Sequence, residues 1–408
     1  MGFNPLKEEG TDLEKQFRNW SSLNLQPYDK YTVEPYTRCR VILMNGTEFE
    51  SQWFLHHFAR HTTDAELKQQ LARVRRVEQQ QQKAIASLVP GNETVLEQTI
   101  GYEQVAVDLT AYLARTEPDP YVKSVLDFGL LEDFDHLYRY ANLLDMLEGK
   151  KAEDLVGRLT EITPGRPTIA EHRHPFDGVR KPFDKDKADI LTKLHVHTIV
   201  AAEQQTMNYY MNRVQDYADP LARGLYQEIG MIEEQHVSQY ESLADPSCSW
   251  FEMWVIHEYN ECYLYYSMMS QETDARIKKL WEQHLMMEIE HLHSAVDAMK
   301  TYEKRDASEF LPDALPHLTL FESNIDYIRD ILKNQIDLTA KETEFVPVES
   351  LPEDYRYFDY QQKINIDGNV PSQRVIDKHI EEYGREYRLE LRGPHPVERF
   401  RELEVTSK

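Results

Sequence analysis

Apolar residues recur at three- and four-residue spacing from about residue 45 to 148, and again from about 188 to 302. That is the period of helices with one buried face. In the first stretch the pattern breaks at Thr62-Thr63-Asp64, Pro90-Gly91-Asn92 and Glu117-Pro118-Asp119-Pro120. In the second it breaks at Asp219-Pro220, Asp245-Pro246 and Thr273-Asp274. Such breaks stop one helix and supply the cap of the next. Each stretch is therefore read as four helices joined by short loops, and the chain as all-α. Residues 1–44, with Pro5, Pro27 and Pro35, read as an irregular arm. Residues 149–187 hold Pro164, Gly165, Pro167, Pro175, Gly178 and Pro182, and read as a long connection with one short helix at 152–160. Within 303–342 a further helix is expected near 318–342. The tail, 343–408, is polar and rich in Tyr and Arg, with INIDGNVPS (364–372) as its only strand-like piece. Such a tail can wrap a second subunit, giving a homodimer, or lie on its own helices.

The two helical stretches repeat one another. Glu233-Glu234-Gln235-His236 and Glu288-Ile289-Glu290-His291 each place an acid three residues before a histidine. On a helix these two side chains share a face. One such pair is common on solvated surfaces, and the spacing around it carries the argument. Glu203 precedes Glu233 by 30 residues and Glu258 precedes Glu288 by 30, with Asp219 and Asp274 each 16 residues after the first Glu of its pair. With equal rise per residue along both arms, the Glu and the Glu-x-x-His of each hairpin meet at one height. At an offset of 155, Glu48, Asp64, Glu78, Glu103, Asp119, Asp133 and His136 fall on Glu203, Asp219, Glu233, Glu258, Asp274, Glu288 and His291. Gln81 stands where the second copy has His236. The chain reads as a tandem duplication, its first copy (45–148) degenerate and its second (188–302) intact, four hairpins in all.

A Glu on each of two helices and Glu-x-x-His on two others is the donor set of di-metal carboxylate bundles. Through this spacing, residues 45–300 resemble the ferritin-like superfamily: ferritins, rubrerythrins, manganese catalases, di-iron oxygenases and the R2 subunits of ribonucleotide reductase. The resemblance implies two four-helix bundles. It also implies Glu203 and Glu258 as single carboxylate ligands, and Glu233 with His236 and Glu288 with His291 as paired ones. Glu103, Asp133 and His136 are further candidates. The expected cofactor is two metal ions, iron first, with manganese or a mixed Mn/Fe pair open, since hard oxygen donors with imidazole suit these metals. The implied function is O2 or peroxide activation of the oxidase or oxygenase kind, with a small organic substrate and a separate electron donor as possible partners. Peroxide removal, ferroxidase activity, or a non-catalytic subunit of a multicomponent oxygenase are the alternatives.

Ferritin-like domains join their two hairpins by a long crossover. Here only 22 residues separate His236 from Glu258, and the long connection is 149–187. Connectivity thus pairs Glu103, Asp133 and His136 with Glu203, Glu233 and His236, leaving hairpins one and four for a second bundle. The losses at Gln81 and Asp133 favour instead an intact site from hairpins three and four. Both pairings stay open at this point, and the ligands of hairpins three and four take part in either.

Glu261, one turn past Glu258, is equally a surface acid or an extra ligand of the rubrerythrin kind. His195 and His197 are candidates for a supporting role. His56, His57 and His61 have no matching carboxylate scheme; His172 and His174, in the long connection, read as a surface loop with a loop over the site as the alternative; Cys262, one turn past Glu258, reads as a buried thiol; and the Met- and Tyr-rich faces of hairpins three and four are read mainly as core.

Composition adds limits. Gly is 15 of 408, which suits long helices over turn-rich folds. The formal charge of −25 opposes phosphate backbones and anionic membranes, so neither nucleic acid nor membrane is an expected partner. No apolar run spans a bilayer, the first residues do not read as a signal peptide, and three Cys make no disulfide scaffold. A reducing cytoplasm is the expected setting. Elemental analysis of the purified protein is expected to find about two metal ions per intact site, lost in the Glu233→Ala, Glu288→Ala double variant.

Overall fold

The structure is a computed structural model that describes residues 2–168 and 173–402. It is predominantly helical, with one two-stranded sheet among the described residues. Eight long helices supply the frame: α1 (Pro35–Arg60), α2 (Ala65–Ala86), α3 (Val95–Thr116), α4 (Pro120–Glu148), α5 (Ile190–Met211), α6 (Pro220–Glu241), α7 (Trp250–Gln271) and α8 (Ala275–Tyr302). Consecutive helices pack as hairpins, α1 with α2, α3 with α4, α5 with α6 and α7 with α8. The expected breaks are the observed loops.

The caps repeat as faithfully as the acids. Asp64 caps α2, Asp119 caps α4, Asp219 caps α6 and Asp274 caps α8, each side chain accepting from amides of the first turn. Glu34 and Asp189 cap α1 and α5, and Thr94 and Ser249 cap α3 and α7. Each pair is again separated by 155 residues. A carboxylate or hydroxyl at this position satisfies amides that have no partner inside the helix.

The two copies meet along α1 and α5. A Cβ on Gly46 would lie 3.0 Å from the Ala201 carbonyl oxygen and 2.9 Å from the Gln205 amide, so the close approach requires glycine. Gly46 and Ala201 are themselves equivalent positions of the repeat. Two small residues therefore face each other at this contact between the halves.

Four segments depart from the sequence reading. The arm ends at Glu34 rather than near residue 44, because Glu34 caps a helix whose first residue is Pro35 and whose residues Tyr36–Met44 are buried. The short helix of the long connection is a single turn, Glu153–Val156, ended by Gly157 in the left-handed region. The helix near 318–342 is confined to α9 (Ile325–Gln335), because the chain turns after it into the antiparallel strands β1 (Leu338–Lys341) and β2 (Glu344–Pro347). Residues 364–372 form no strand: α10 (Arg356–Ile364) ends there, Asp367 and Gly368 take positive φ, and Pro371 opens α11 (Pro371–Tyr383).

The described tail lies on its own helices. Arg139 of α4 donates to the Ser372 carbonyl at 3.2 Å, and the Ser372 amide donates to Glu228 of α6 at 2.7 Å. The N-terminal arm runs along α8, where the Thr11 amide donates to the Met286 carbonyl at 2.6 Å. Among the described residues no helix is long and apolar enough to cross a membrane.

Asp108 on α3 is fully buried and accepts from Thr160 at 2.6 Å and Tyr36 at 3.2 Å, while its Oδ1 has no partner. Burial outweighs these hydrogen bonds and pushes its carboxyl up to about 7. A folded-state value above the unfolded one means stability is greatest below the unfolded value and declines as pH rises towards 7. Asp108→Asn is thus expected to gain melting temperature relative to wild type across pH 4 to 7, with the gap levelling above. A pH-independent gap in paired thermal melts would contradict this.

Candidate metal centre

Inward-facing acids and histidines of the eight helices collect into two buried clusters. The first draws on α1, α2, α7 and α8. His291 Nδ1 lies 2.9 Å from Glu78, 2.8 Å from Glu288 and 3.8 Å from Glu258. The Gln81 amide donates to Glu288, the Tyr265 hydroxyl to Glu48, and the Trp254 indole to Glu258 at 2.5 Å. Glu261 is 2 % exposed, and neither of its oxygens has a hydrogen-bond partner.

The second cluster draws on α3, α4, α5 and α6. His236 Nδ1 lies 3.3 Å from both Asp133 and Glu233 and 3.6 Å from Glu203. His136 Nδ1 lies 2.9 Å from Glu233, and the Tyr210 hydroxyl donates to Glu103. Two groups of donor atoms form here, Asp133 with Glu203, Glu233 and His236, and Glu103 with His136 and Glu233; within each, the atoms lie within 4.8 Å of one another. Glu233 belongs to both, the position of a carboxylate between two ions. The first cluster holds one such group, Glu78, Glu258, Glu288 and His291.

The imidazoles are set from behind. His236 directs Nε2 to Glu132 at 2.5 Å, and Glu132 accepts from Arg173 at 2.9 Å. His291 directs Nε2 to the Gln16 side-chain oxygen at 2.7 Å. In each case an outer acceptor fixes the ring and leaves Nδ1 to the carboxylates, as in metal-ligating histidines.

Electrostatics point the same way. Both oxygens of Glu78, Asp133, Glu203 and Glu261 lack hydrogen-bond partners, as does one oxygen each of Glu48, Glu103, Glu233 and Glu258. Burial raises Glu48, Glu103, Asp133, Glu258 and Glu261 well above the ordinary carboxylate range and brings Glu203 to about 8. For Glu233 and Glu288 burial acts in the same direction, but the adjacent imidazoles outweigh it and hold both below that range. Acids of this density, sharing so few imidazoles, are costly to bury. Cations would satisfy them, and the hard oxygen and imidazole donors fit iron or manganese. Both clusters can hold metal ions.

Each candidate ligand from the sequence reading, Glu203, Glu233, His236, Glu103, Asp133 and His136 in one cluster and Glu258, Glu288 and His291 in the other, lies in one of the two. Hairpins three and four do not make a site together. Hairpin three faces hairpin two, to which the long connection joins it, and hairpin four faces hairpin one. Glu48 and Glu78, on hairpin one, therefore complete the first cluster. Glu261 is an inward acid. Sequence reasoning did not find Glu132, Gln16 or Arg173; the neighbour of a ligand on a helix points about 100° away from it, and nothing local marks it as an outer partner.

The other candidates lie elsewhere. His195 binds Glu117 at 2.7 Å, and His197 packs against the His257 ring. His57 and His61 stack on Trp53 and Trp250 at the surface, His56 is exposed, and His174 lies against Phe176. Cys262 is buried in the core, and His172 lies outside the described residues. Comparison with known protein families, curated proteins and solved structures finds no match.

The two clusters share no ligand, so their metals are expected to be separable. His236→Ala should empty the second cluster and spare the first, and His291→Ala the reverse, by elemental analysis of each purified variant. Equal losses in both variants would contradict independent sites.

Proposed function

We propose that the protein is a di-metal carboxylate redox protein acting on O2 or a peroxide, with the second cluster as its reactive centre. In this reading hairpins two and three form one ferritin-like four-helix bundle and hairpins one and four another. The supporting observation is the convergence of Glu103, Asp133, Glu203 and Glu233 with His136 and His236, Glu233 lying common to two donor groups.

A bound pair of iron or manganese ions would supply the redox equivalents and Lewis acidity that the O–O bond requires. The chain's own residues set the conditions. Glu203, Glu233, Asp133 and Glu103 offset the charge of two divalent ions, and their free oxygens allow more than one mode of attachment. The Glu132–Arg173 pair holds His236 in one tautomer and orientation. Burial of every ligand keeps bulk water from the centre. The oxidase or oxygenase reading and the peroxide-removing or ferroxidase reading share this centre and differ in whether an organic substrate is consumed.

The test is anaerobic loading with Fe(II), followed by mixing with O2 or hydrogen peroxide in a stopped-flow spectrometer. Wild type is expected to oxidise its iron, Glu233→Ala to fail, and Glu132→Gln to lose about 10–100-fold in metal affinity or rate. Metal-free wild-type protein with no uptake would favour the non-catalytic subunit.

A further inference from the structure

Tyr210 does more than touch the second cluster. Its ring lies 5.3 Å from Tyr140 and 5.7 Å from Tyr226, and those two lie 5.0 Å from each other. Tyr226 stacks on Tyr217 at 5.4 Å, which is half-buried at the start of hairpin three's second arm. In another direction Tyr210 lies 5.7 Å from Tyr209, and Tyr209 stacks on half-buried Tyr102 at 4.3 Å. Tyr102 and Tyr209 line a cavity of about 210 Å³. Six tyrosines thus run without a gap from Glu103 to two places at the surface.

Packing alone does not demand tyrosine at these positions, and the internal repeat supplies the comparison. Around the first cluster the equivalents of Tyr210, Tyr226 and Tyr140 are Leu55, Leu71 and Ala295, and those of Tyr209, Tyr217 and Tyr102 are Phe54, Thr62 and His257. Leu55, Leu71 and Ala295 are fully buried, so the same fold closes its core at these three positions without a phenol; the tyrosine that does reach the first cluster, Tyr265, stands where the other copy has Thr110. Buried phenols also need hydrogen-bond partners that aliphatic residues do not. The Tyr140 hydroxyl has none. A connected set of six tyrosines thus occurs at one of two equivalent sites, at some cost to polar satisfaction.

We propose that these tyrosines form a branched relay that carries oxidising equivalents from the second cluster to the surface. The inference rests on the redox reading above. In the two-electron reduction of a peroxide to water, two electrons and two protons must be supplied. Each electron that leaves Tyr210 is accompanied by its phenolic proton, so two such passages deliver the two electrons and two protons that the peroxide oxygens take up, and after each a neutral phenoxyl radical remains. Electron and proton from Tyr226 or Tyr209 restore Tyr210, and the radical moves outward to Tyr217 or Tyr102. There a one-electron reductant from solvent, a thiol or a phenol, donates an electron and a proton and is itself oxidised.

The experiment treats metal-loaded full-length protein with hydrogen peroxide and a nitroso spin trap, and maps the adducts by tandem mass spectrometry. Adducts are expected on Tyr217 and Tyr102 in wild type, and absent from metal-free protein. Tyr226→Phe should lose the Tyr217 adduct and keep that on Tyr102, Tyr209→Phe should do the reverse, and Tyr210→Phe should lose both. These variants preserve ring packing, and their metal content should equal wild type. Adducts on Tyr217 and Tyr102 that persist in Tyr210→Phe, or adducts confined to the aromatic residues of the first cluster, would overturn the relay while leaving the redox reading in place. Wild-type protein that binds metal yet forms no adduct and consumes no peroxide would remove both.

Discussion

Nine carboxylate side chains lie out of water in the two clusters, and only three imidazoles face them. No arrangement of nine acids and three imidazoles is electrically neutral with the acids ionised. Protonation relieves part of the imbalance, as the upward shifts of Glu48, Glu103 and Glu258 indicate. It does so by giving up the charge that would make these side chains useful. Cations would relieve the rest. Other features follow from this requirement: helices long enough to carry two ligands at one height, caps that fix where each helix begins, and outer partners that hold the rings.

Rigid placement depends on the ends of the helices as much as on their middles. A cap shifted by one residue would rotate a ligand by about 100° and carry it off the inward face. The repeated caps, Glu34 and Asp189, Asp64 and Asp219, Thr94 and Ser249, Asp119 and Asp274, fix that rotation in both copies. The arm and tail then close the outside. Gln16 reaches the back of His291, and the long connection brings Arg173 to Glu132.

Helix positions, hairpins and nearly all inward acids were legible in the sequence because they depend on short-range spacing, and the repeat doubled the signal. The partner of each hairpin was harder to read. Loop length favoured hairpins two and three, and the erosion at Gln81 and Asp133 favoured three and four. Erosion misleads here because each cluster combines one hairpin from each copy, so a loss in the first copy is shared between clusters. Glu132 and Gln16 are invisible to periodicity, since each acts through a contact made far along the chain. The start of α1 was missed because Pro35 reads as a breaker, although a proline in the first turn of a helix costs no hydrogen bond.

The place where Gly46 meets Ala201 has a consequence for ancestry and for divergence. One copy of the repeat supplies two of the four helices around each cluster and can complete neither. Two identical copies, related by a two-fold axis through that contact, would complete both at once, as an isologous dimer does. In such a dimer every substitution appears in both centres. Once the copies are joined in one chain, that bond between the centres is cut. Gln81 can replace an imidazole, Glu261 can enter where the other copy has Ala106, and six phenols can gather around a single centre. Joined in one chain, the two sites are free to specialise.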